Sequence, residues 1–281
     1  MLSYRHAFHA GNHADVLKHL VLLQIAEYMA EKPAPFWIID THAGAGFYAL
    51  ESAQASKLGE YKEGIGRLWD KKGLPPAAVN YVEYIQILNP DGQLRYYPGS
   101  PWLASQTLRE SDRLRLFELH TTDVELLKKN FSQGGRQINV TAGDGFVGLK
   151  SILPPPPRRA LVLIDPSYET RDDYTNVVKG LQDALTRFAT GTYVLWYPML
   201  SKLESRKLPE KLKRLGCANW LNVTLEVSAP SKDGFGMNGS GLFIINPPWS
   251  LEKTLRETLP KLTELLAQGT GAQFRIEGES T

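Results

Sequence analysis

Phe36-Trp37-Ile38-Ile39-Asp40-Thr41-His42-Ala43-Gly44-Ala45-Gly46 is the stretch whose reading decides the fold class. Its apolar run ending in an acid predicts a buried parallel strand, and the glycines after it predict a turn leading into a helix, where backbone can come close to a ligand. Three further runs repeat the pattern. Leu114-Arg115-Leu116-Phe117 ends in Glu118, Ile138 to Ala142 runs into Gly143-Asp144-Gly145, and Leu161-Val162-Leu163-Ile164 runs into Asp165-Pro166-Ser167-Tyr168. Such strands alternating with helical-period segments predict an α/β fold with a mostly parallel, doubly wound sheet. In that architecture ligands sit outside the carboxyl ends of the strands, so the four polar ends should converge on one crevice.

Outward from these strands, later runs at Thr192 to Trp196, Asn222 to Ser228 and Gly241 to Ile245 predict three more strands, the last two separated by a Gly-rich, Pro-containing stretch that reads as a hairpin or a loop connection. Roughly 70 residues separate the first two strands, far more than one crossover needs. Residues 51–98 are therefore read as an inserted helical subdomain, with helix-like segments around Gly64 to Lys71 and Ala77 to Leu88. Ahead of the first strand, residues 1–31 form an amino-terminal tail and helix. Asn12 is its cap, Asp15 stands at its third position, and it ends near Glu31 before Pro33. Pro154 to Pro157 reads as a stiff connector. The whole chain, 1–281, is expected to be one domain.

Composition excludes several classes. Of 281 residues 42% are hydrophobic, enough for a sizeable core and against disorder as the main state. A net charge of +2 lacks the strongly basic balance of a histone-like binder, so any nucleic-acid contact must come from local patches. The single cysteine, Cys217, excludes an intramolecular disulfide and multi-thiolate metal sites, and fits a reducing compartment. With neither a membrane-length apolar run nor a signal peptide in view, the cytoplasm is the expected location.

Several constellations could carry chemistry. Gly44, Gly46 and Ala49 satisfy the G-x-G-x-x-A dinucleotide pattern, but no acid ends a second strand about 20 residues later, which weakens a nicotinamide reading. Glu118 could accept from ribose hydroxyls, or be a solvated strand-end acid; Asp144 could accept from an adenine amino group, or simply form a turn. Their order along successive strand ends, after the glycine turn, favours a nucleoside ligand. Asp165-Pro166-Ser167-Tyr168 resembles the D-P-P-Y motif of amino-group methyltransferases acting on adenine N6, with Ser167 in place of the second proline. In that chemistry the Asp165 carboxylate and the Pro166 carbonyl each take one N–H of the exocyclic amine, while Tyr168 stacks on the extruded base. Asn246-Pro247-Pro248-Trp249 fits a looser version of the motif, but it follows the seventh strand and is read as a chain-terminating turn. His6, His9, His13 and His19 crowd the first 20 residues, yet Gly11 and Asn12 break their alignment, so no metal site is expected. Residues 201–215 hold six basic and two acidic side chains over a leucine stripe, either a solvated face or a phosphate-contacting one.

Taken in order, Leu2-Ser3-Tyr4-Arg5-His6, His9 to His19, Asp40 to Gly46, Leu94 to Pro101, Glu118-Leu119-His120, Asp144-Gly145-Phe146, Leu163-Ile164-Asp165-Pro166 and Ile245 to Trp249 resemble the large-subunit ribosomal RNA adenine-N6 methyltransferases of the RlmJ type. The resemblance covers nearly the whole chain. It implies a Rossmann-like S-adenosylmethionine (AdoMet) methyltransferase sheet with a helical insertion, acting as a monomer on ribosomal RNA not yet assembled into ribosomes. The alternatives are a DNA adenine-N6 methyltransferase, or a weakly active AdoMet- or nucleic-acid-binding protein involved in use of external DNA, with which the family was long associated. Carried over by position, the AdoMet contacts are His19, His42, Gly44, Ser100, Glu118, Asp144 and Gly145, with Lys18 near the methionine carboxylate. Asp165, with Pro166 and Tyr168, is the implied catalytic group, and Tyr4 the implied contact to the nucleic acid.

Overall fold

In a computed structural model that describes residues 5–231 and 233–279, the first strand, β1 (Trp37–Asp40), lies between β4 (Arg113–Glu118) and β6 (Ala160–Ile164), parallel to both. With β5 (Ile138–Ala142), β7 (Thr192–Met199), β8 (Trp220–Glu226), β9 (Gly239–Ile245) and β10 (Gln273–Glu279), the sheet runs β5-β4-β1-β6-β7-β9-β8-β10. The strand order reverses at β1, and the crevice at such a reversal is where a doubly wound sheet receives its ligand. β6 is buried along its length, as its unbroken apolar sequence requires of a strand covered on both faces.

Strand direction separates the two ends of the sheet. β1, β4, β5, β6 and β7 are parallel, so their carboxyl ends share one edge. β9 runs antiparallel to β7, pairing Tyr193 with Ile245 and Met199 with Gly239, so its own carboxyl end lies at the opposite edge. Asn246-Pro247-Pro248-Trp249 is therefore remote from the crevice. It does not terminate the chain: it turns into α9 (Leu251–Leu266), whose leucines 251, 255, 259, 262 and 266 form a buried stripe, and then into β10.

The glycine turn leads to a different element from the one its sequence predicts. The helix expected after Gly46 is replaced by a short strand, β2 (Phe47–Ala49), which pairs antiparallel with β3 (Tyr96–Pro98). Ala49, the last residue of the dinucleotide-like pattern, thus lies in a strand. Between β2 and β3 come α2 (Ala53–Leu58), two turns of 3₁₀ helix at Glu60–Glu63 and Ile65–Arg67, and α3 (Pro76–Leu88). The insertion therefore stands on a two-stranded neck. The chain leaves at Gly46 and returns at Gly99, whose N–H donates to the Gly46 carbonyl at 2.9 Å; a side chain at 99 would press on that oxygen. Only then does the helix belonging to β1 begin, α4 (Ser100–Gln106).

α1 (His13–Ala30) starts where the sequence predicts, the Asn12 side chain accepting from the backbone N–H groups of Ala14 and Asp15. It is buried on nearly every side, packed against α3, α4, α9 and the strands beneath. An all-round buried helix can carry polar residues only where they have partners. Its first turn supplies such residues to the crevice. Completing the helical layers are α5 (Thr121–Asn130), α6 (Gly145–Ile152), α7 (Arg171–Arg187) and α8 (Leu203–Lys213). None of the described helices is long and apolar enough to cross a membrane.

Candidate active site

A cavity of about 700 Å³ opens at the carboxyl ends of the parallel strands. Its sheet-side wall carries His42, Gly44, Glu118, Asp144, Gly145 and Asp165, so the structure brings together the four strand ends picked out in the sequence. The facing wall comes from the start of α1 and from the insertion, with Asn12, Asp15, Lys18, His19 and Glu60. Ser100 also lines it, and its hydroxyl donates to Asp40 Oδ2 at 2.7 Å. Asp40 itself is buried; burial lifts its carboxyl to about 7, against the Ser100 hydroxyl and the His42 N–H that stabilise its charge.

The acids on the sheet side are held by backbone. Glu118 Oε2 accepts from Gly44 N–H and Oε1 from His120 N–H, both at 2.7 Å, tying the end of β4 to the glycine turn. Burial raises the Glu118 carboxyl above its ordinary range, with those N–H groups opposing the shift. Asp144 caps α6, its Oδ1 accepting from Phe146 and Val147 N–H, and the carboxylate stays exposed. Gly145 must be glycine for packing, because a Cβ there would come within 2.2 Å of the Thr41 carbonyl oxygen. Phe146 presents its ring edgewise to His42 at 5.6 Å, giving that end of the cavity an aromatic wall.

On the facing wall Asp15 is the hub. Its Oδ2 accepts from Gly11 N–H and bonds His6 Nε2, both at 2.9 Å, and its Oδ1 lies 2.9 Å from Lys18 Nζ. Lys18 reaches across the crevice to Asp165 Oδ2 at 2.5 Å, joining positions 147 apart in the chain. Burial works against the Lys18 charge, yet the Asp15 and Asp165 carboxylates together raise its pKa above the ordinary value. Burial likewise opposes charge on Asp15, and His6, Lys18 and His19 overcome it, holding the carboxyl well below its usual range. His19 is almost wholly buried, with Nδ1 2.8 Å from the Tyr97 hydroxyl; burial drops its pKa to about 3. The crowded histidines take separate partners, His9 pairing with Glu60 at 3.0 Å while the His13 Nδ1 is buried with none.

Tyr168 does not face the cavity as its motif position predicts. Tyr168 is 3% exposed, with φ of 52°, and its hydroxyl donates to the Trp196 carbonyl at 2.8 Å. Its ring packs on Tyr174 beneath the crevice and offers no face to a base. The aromatic side chain lining the cavity beside Asp165 is Trp196, because β6 pairs Ile164 with Leu195 and β7 runs on past that pair, setting Trp196 next to the end of β6. The Lys18 ammonium lies between the Asp15 and Asp165 carboxylates, two partners for its three N–H donors. Tyr4 falls outside the described residues.

Comparison with known proteins follows from this geometry. Residues 33–276 match the family described as Ribosomal RNA large subunit methyltransferase D, RlmJ. The chain belongs to this family. It is 48% identical over 274 residues to the Ribosomal RNA large subunit methyltransferase J of Haemophilus influenzae, covering 97% of each chain. It is also 48% identical to the protein of that name from Escherichia coli over 272 residues, 96% of each. Among solved structures, a Legionella pneumophila protein superposes with a TM-score of 0.90 at 35% identity, covering 97% of this chain and 99% of that one. A fold shared over that length includes the insertion as well as the sheet.

Sequence reasoning passed over three residues that shape this site: Asp15, Asp40 and Trp196. Asp15 had a usable signal, since Lys18 and His19 follow it at i+3 and i+4 on one face of an amphipathic-blind, fully buried helix turn. Asp40 was quoted as a strand end and given no role. Trp196 had none, because only strand pairing places it next to Asp165.

Proposed function

We propose that this protein transfers the methyl group of AdoMet to N6 of an adenine in large-subunit ribosomal RNA. The observation that carries the reading is Asp165-Pro166 at the end of β6, lining the same cavity as Glu118 and Asp144. Membership of the RlmJ family and relatives named as large-subunit ribosomal RNA methyltransferases supply the reaction class and substrate.

The residues fit the cofactor. The volume lies within the ~300–1,000 Å³ of small-ligand sites. The exposed Asp144 carboxylate and Phe146 suit an adenine ring, Glu118 suits ribose hydroxyls, and the spare donor of Lys18 suits a carboxylate. When bound, AdoMet supplies an electrophilic methyl on a positively charged sulfur.

The chain's own groups prepare the amine. Lys18 occupies Asp165 Oδ2 and fixes the carboxylate, leaving Oδ1 to accept one amine N–H. The Pro166 carbonyl takes the other, which draws the nitrogen lone pair out of conjugation with the ring. Trp196 provides a face for the extruded base where the motif tyrosine does not. With AdoMet bound, the amine so held would accept the methyl as its bond to sulfur is given up, and Asp165 or solvent would take the proton of the resulting aminium, a strong acid. Rate enhancement then rests on positioning and on the two acceptors.

The test is nucleoside mass spectrometry of protein-free large-subunit ribosomal RNA after incubation with the protein and deuterated-methyl AdoMet. Labelled N6-methyladenosine, absent with Asp165→Ala, is expected. No label despite AdoMet binding overturns the reading, and label on adenine in DNA but not RNA corrects its substrate.

A further inference from the structure

Two large hydrophobic side chains stand out as the most exposed among the described residues, Trp249 and Phe235, each at 83%. Trp249 lies at the sheet edge away from the cavity. Phe235 is at the tip of the β8–β9 connection, immediately before Gly236 and Met237, which line the cavity mouth. A single exposed aromatic ring is ordinary on a protein surface, so what distinguishes Phe235 is its place next to cavity-lining residues.

Its surroundings identify the kind of partner. The connection is anchored to the far end of β7: Asn238 N–H donates to the Met199 carbonyl, and Gly234 lies beside Ser201. Lys202 follows directly and caps α8, and Arg206 stands one turn further along the same face. Both side chains are exposed, as is Lys207, and none of the three has an ion pair among the described residues. Leu203, 57% exposed, sits between them. Acidic side chains stand here too: Glu204 is paired with Arg171 at 3.2 Å, Glu169 and Asp173 line the same cavity, and Asp233 lies in the connection itself. Because Gly234 lies beside Ser201, the exposed ring of Phe235 and the unpaired cations at the start of α8 belong to adjoining segments of one surface, a combination that binds unpaired nucleotides by stacking and phosphate contact.

We propose that Phe235, with Lys202 and Arg206, forms a docking rim that stacks on an unpaired base flanking the target adenine and contacts the adjoining phosphates. Gly236 and Met237, next to Phe235, line the same cavity as Leu58 and Glu60 of the insertion, so the rim adjoins the cavity that the target nucleotide enters. The assignment rests on the RNA reading above and is independent of which groups perform the chemistry.

The experiment measures binding of in vitro transcribed, protein-free large-subunit RNA, with turnover and AdoMet affinity read alongside. Phe235→Ala should weaken RNA binding and raise KM for RNA on the order of 10-fold, with kcat and AdoMet affinity unmoved. Phe235→Trp should restore binding. Lys202→Gln with Arg206→Gln should lower the slope of log affinity against log salt by about 1 to 2. Unchanged RNA affinity in Phe235→Ala overturns the proposal, and loss of a concentration-dependent dimer in that variant with RNA affinity intact assigns the patch to self-association instead. Wild-type protein that binds RNA without methylating it would sink the catalytic reading while leaving the rim to be judged on binding alone.

Discussion

Asp165-Pro166-Ser167-Tyr168 and Asn246-Pro247-Pro248-Trp249 are near copies in sequence and opposites in position. Each follows a buried strand, and each contains a non-glycine residue in left-handed backbone, Tyr168 at φ 52° and Asn246 at φ 53°. The first ends a parallel strand and lines the cavity. The second, closer to the proline pattern of an amino-methyltransferase, ends a strand that runs the other way and leaves its tryptophan in solvent. Asn246 is held by structural bonds alone, its side-chain N–H groups donating to the Ala189 and Gly191 carbonyls at 2.8 Å. A motif of this kind becomes a site only where strand direction points it at the other strand ends.

The largest effect that could break this contrast is loss of the acceptor. Asp165→Ala should reduce kcat at least about 100-fold while AdoMet affinity stays within a few-fold, measured by methyl transfer and calorimetry. Asn246→Ala should leave kcat alone and cost about 1–3 kcal/mol of folding stability, read from the urea midpoint, because alanine resists left-handed backbone and two carbonyls lose their donor. A drop in kcat beyond the stability effect would mean that the second tetrapeptide takes part in catalysis.

The two edges should also differ in their response to acid. His13 and His19, both at the cavity, are pushed by burial from 6.5 to about 4 and about 3. Unfolded imidazoles take up protons first as pH falls, so both histidines stabilise the fold above pH 6.5 and that contribution is lost on the way down to their folded values. Asp40, raised by burial to about 7, has the opposite sign and loses its contribution as pH climbs from 3.8 towards about 7. Of these three groups the two histidines outweigh Asp40, so their joint contribution to stability should peak near pH 6.5 and fall towards pH 4. His13→Gln should flatten that fall by about 1.4 kcal/mol per pH unit, whereas Asn246→Ala should shift the whole curve without changing its shape.

The smallest expected effect concerns Ser167. Proline in that position would stiffen a loop, but Lys18 already holds Asp165 and Trp196 already holds Tyr168. Ser167→Pro should therefore change kcat by less than about three-fold, a barrier change of no more than about 0.65 kcal/mol. A large gain would show that those contacts leave the loop loose.

Much of the molecule was legible residue by residue. The strand ends at Asp40, Glu118, Asp144 and Asp165 follow from apolar runs stopped by polar turn-formers, and the start of α1 follows from Asn12, because strand periodicity and capping are local properties. The neck of the insertion was not: β2 and β3 are three residues each, too short to show a pattern, and they pair across nearly fifty positions. Tyr168 was misplaced for a related reason, since whether a ring faces a cavity or a core depends on what packs above it.

Local sequence therefore suffices for seven strands of the main sheet, the polar ends that four of them carry and the family those ends belong to, but not for β2, β3 or β10. Long-range packing alone reverses β9, postpones the helix owed to β1 to Ser100, and sets Lys18 between Asp15 and Asp165. These are decided by contacts between residues far apart in the chain, where the energy of burying a charge beside its counter-charge depends on three-dimensional neighbours that no local window contains.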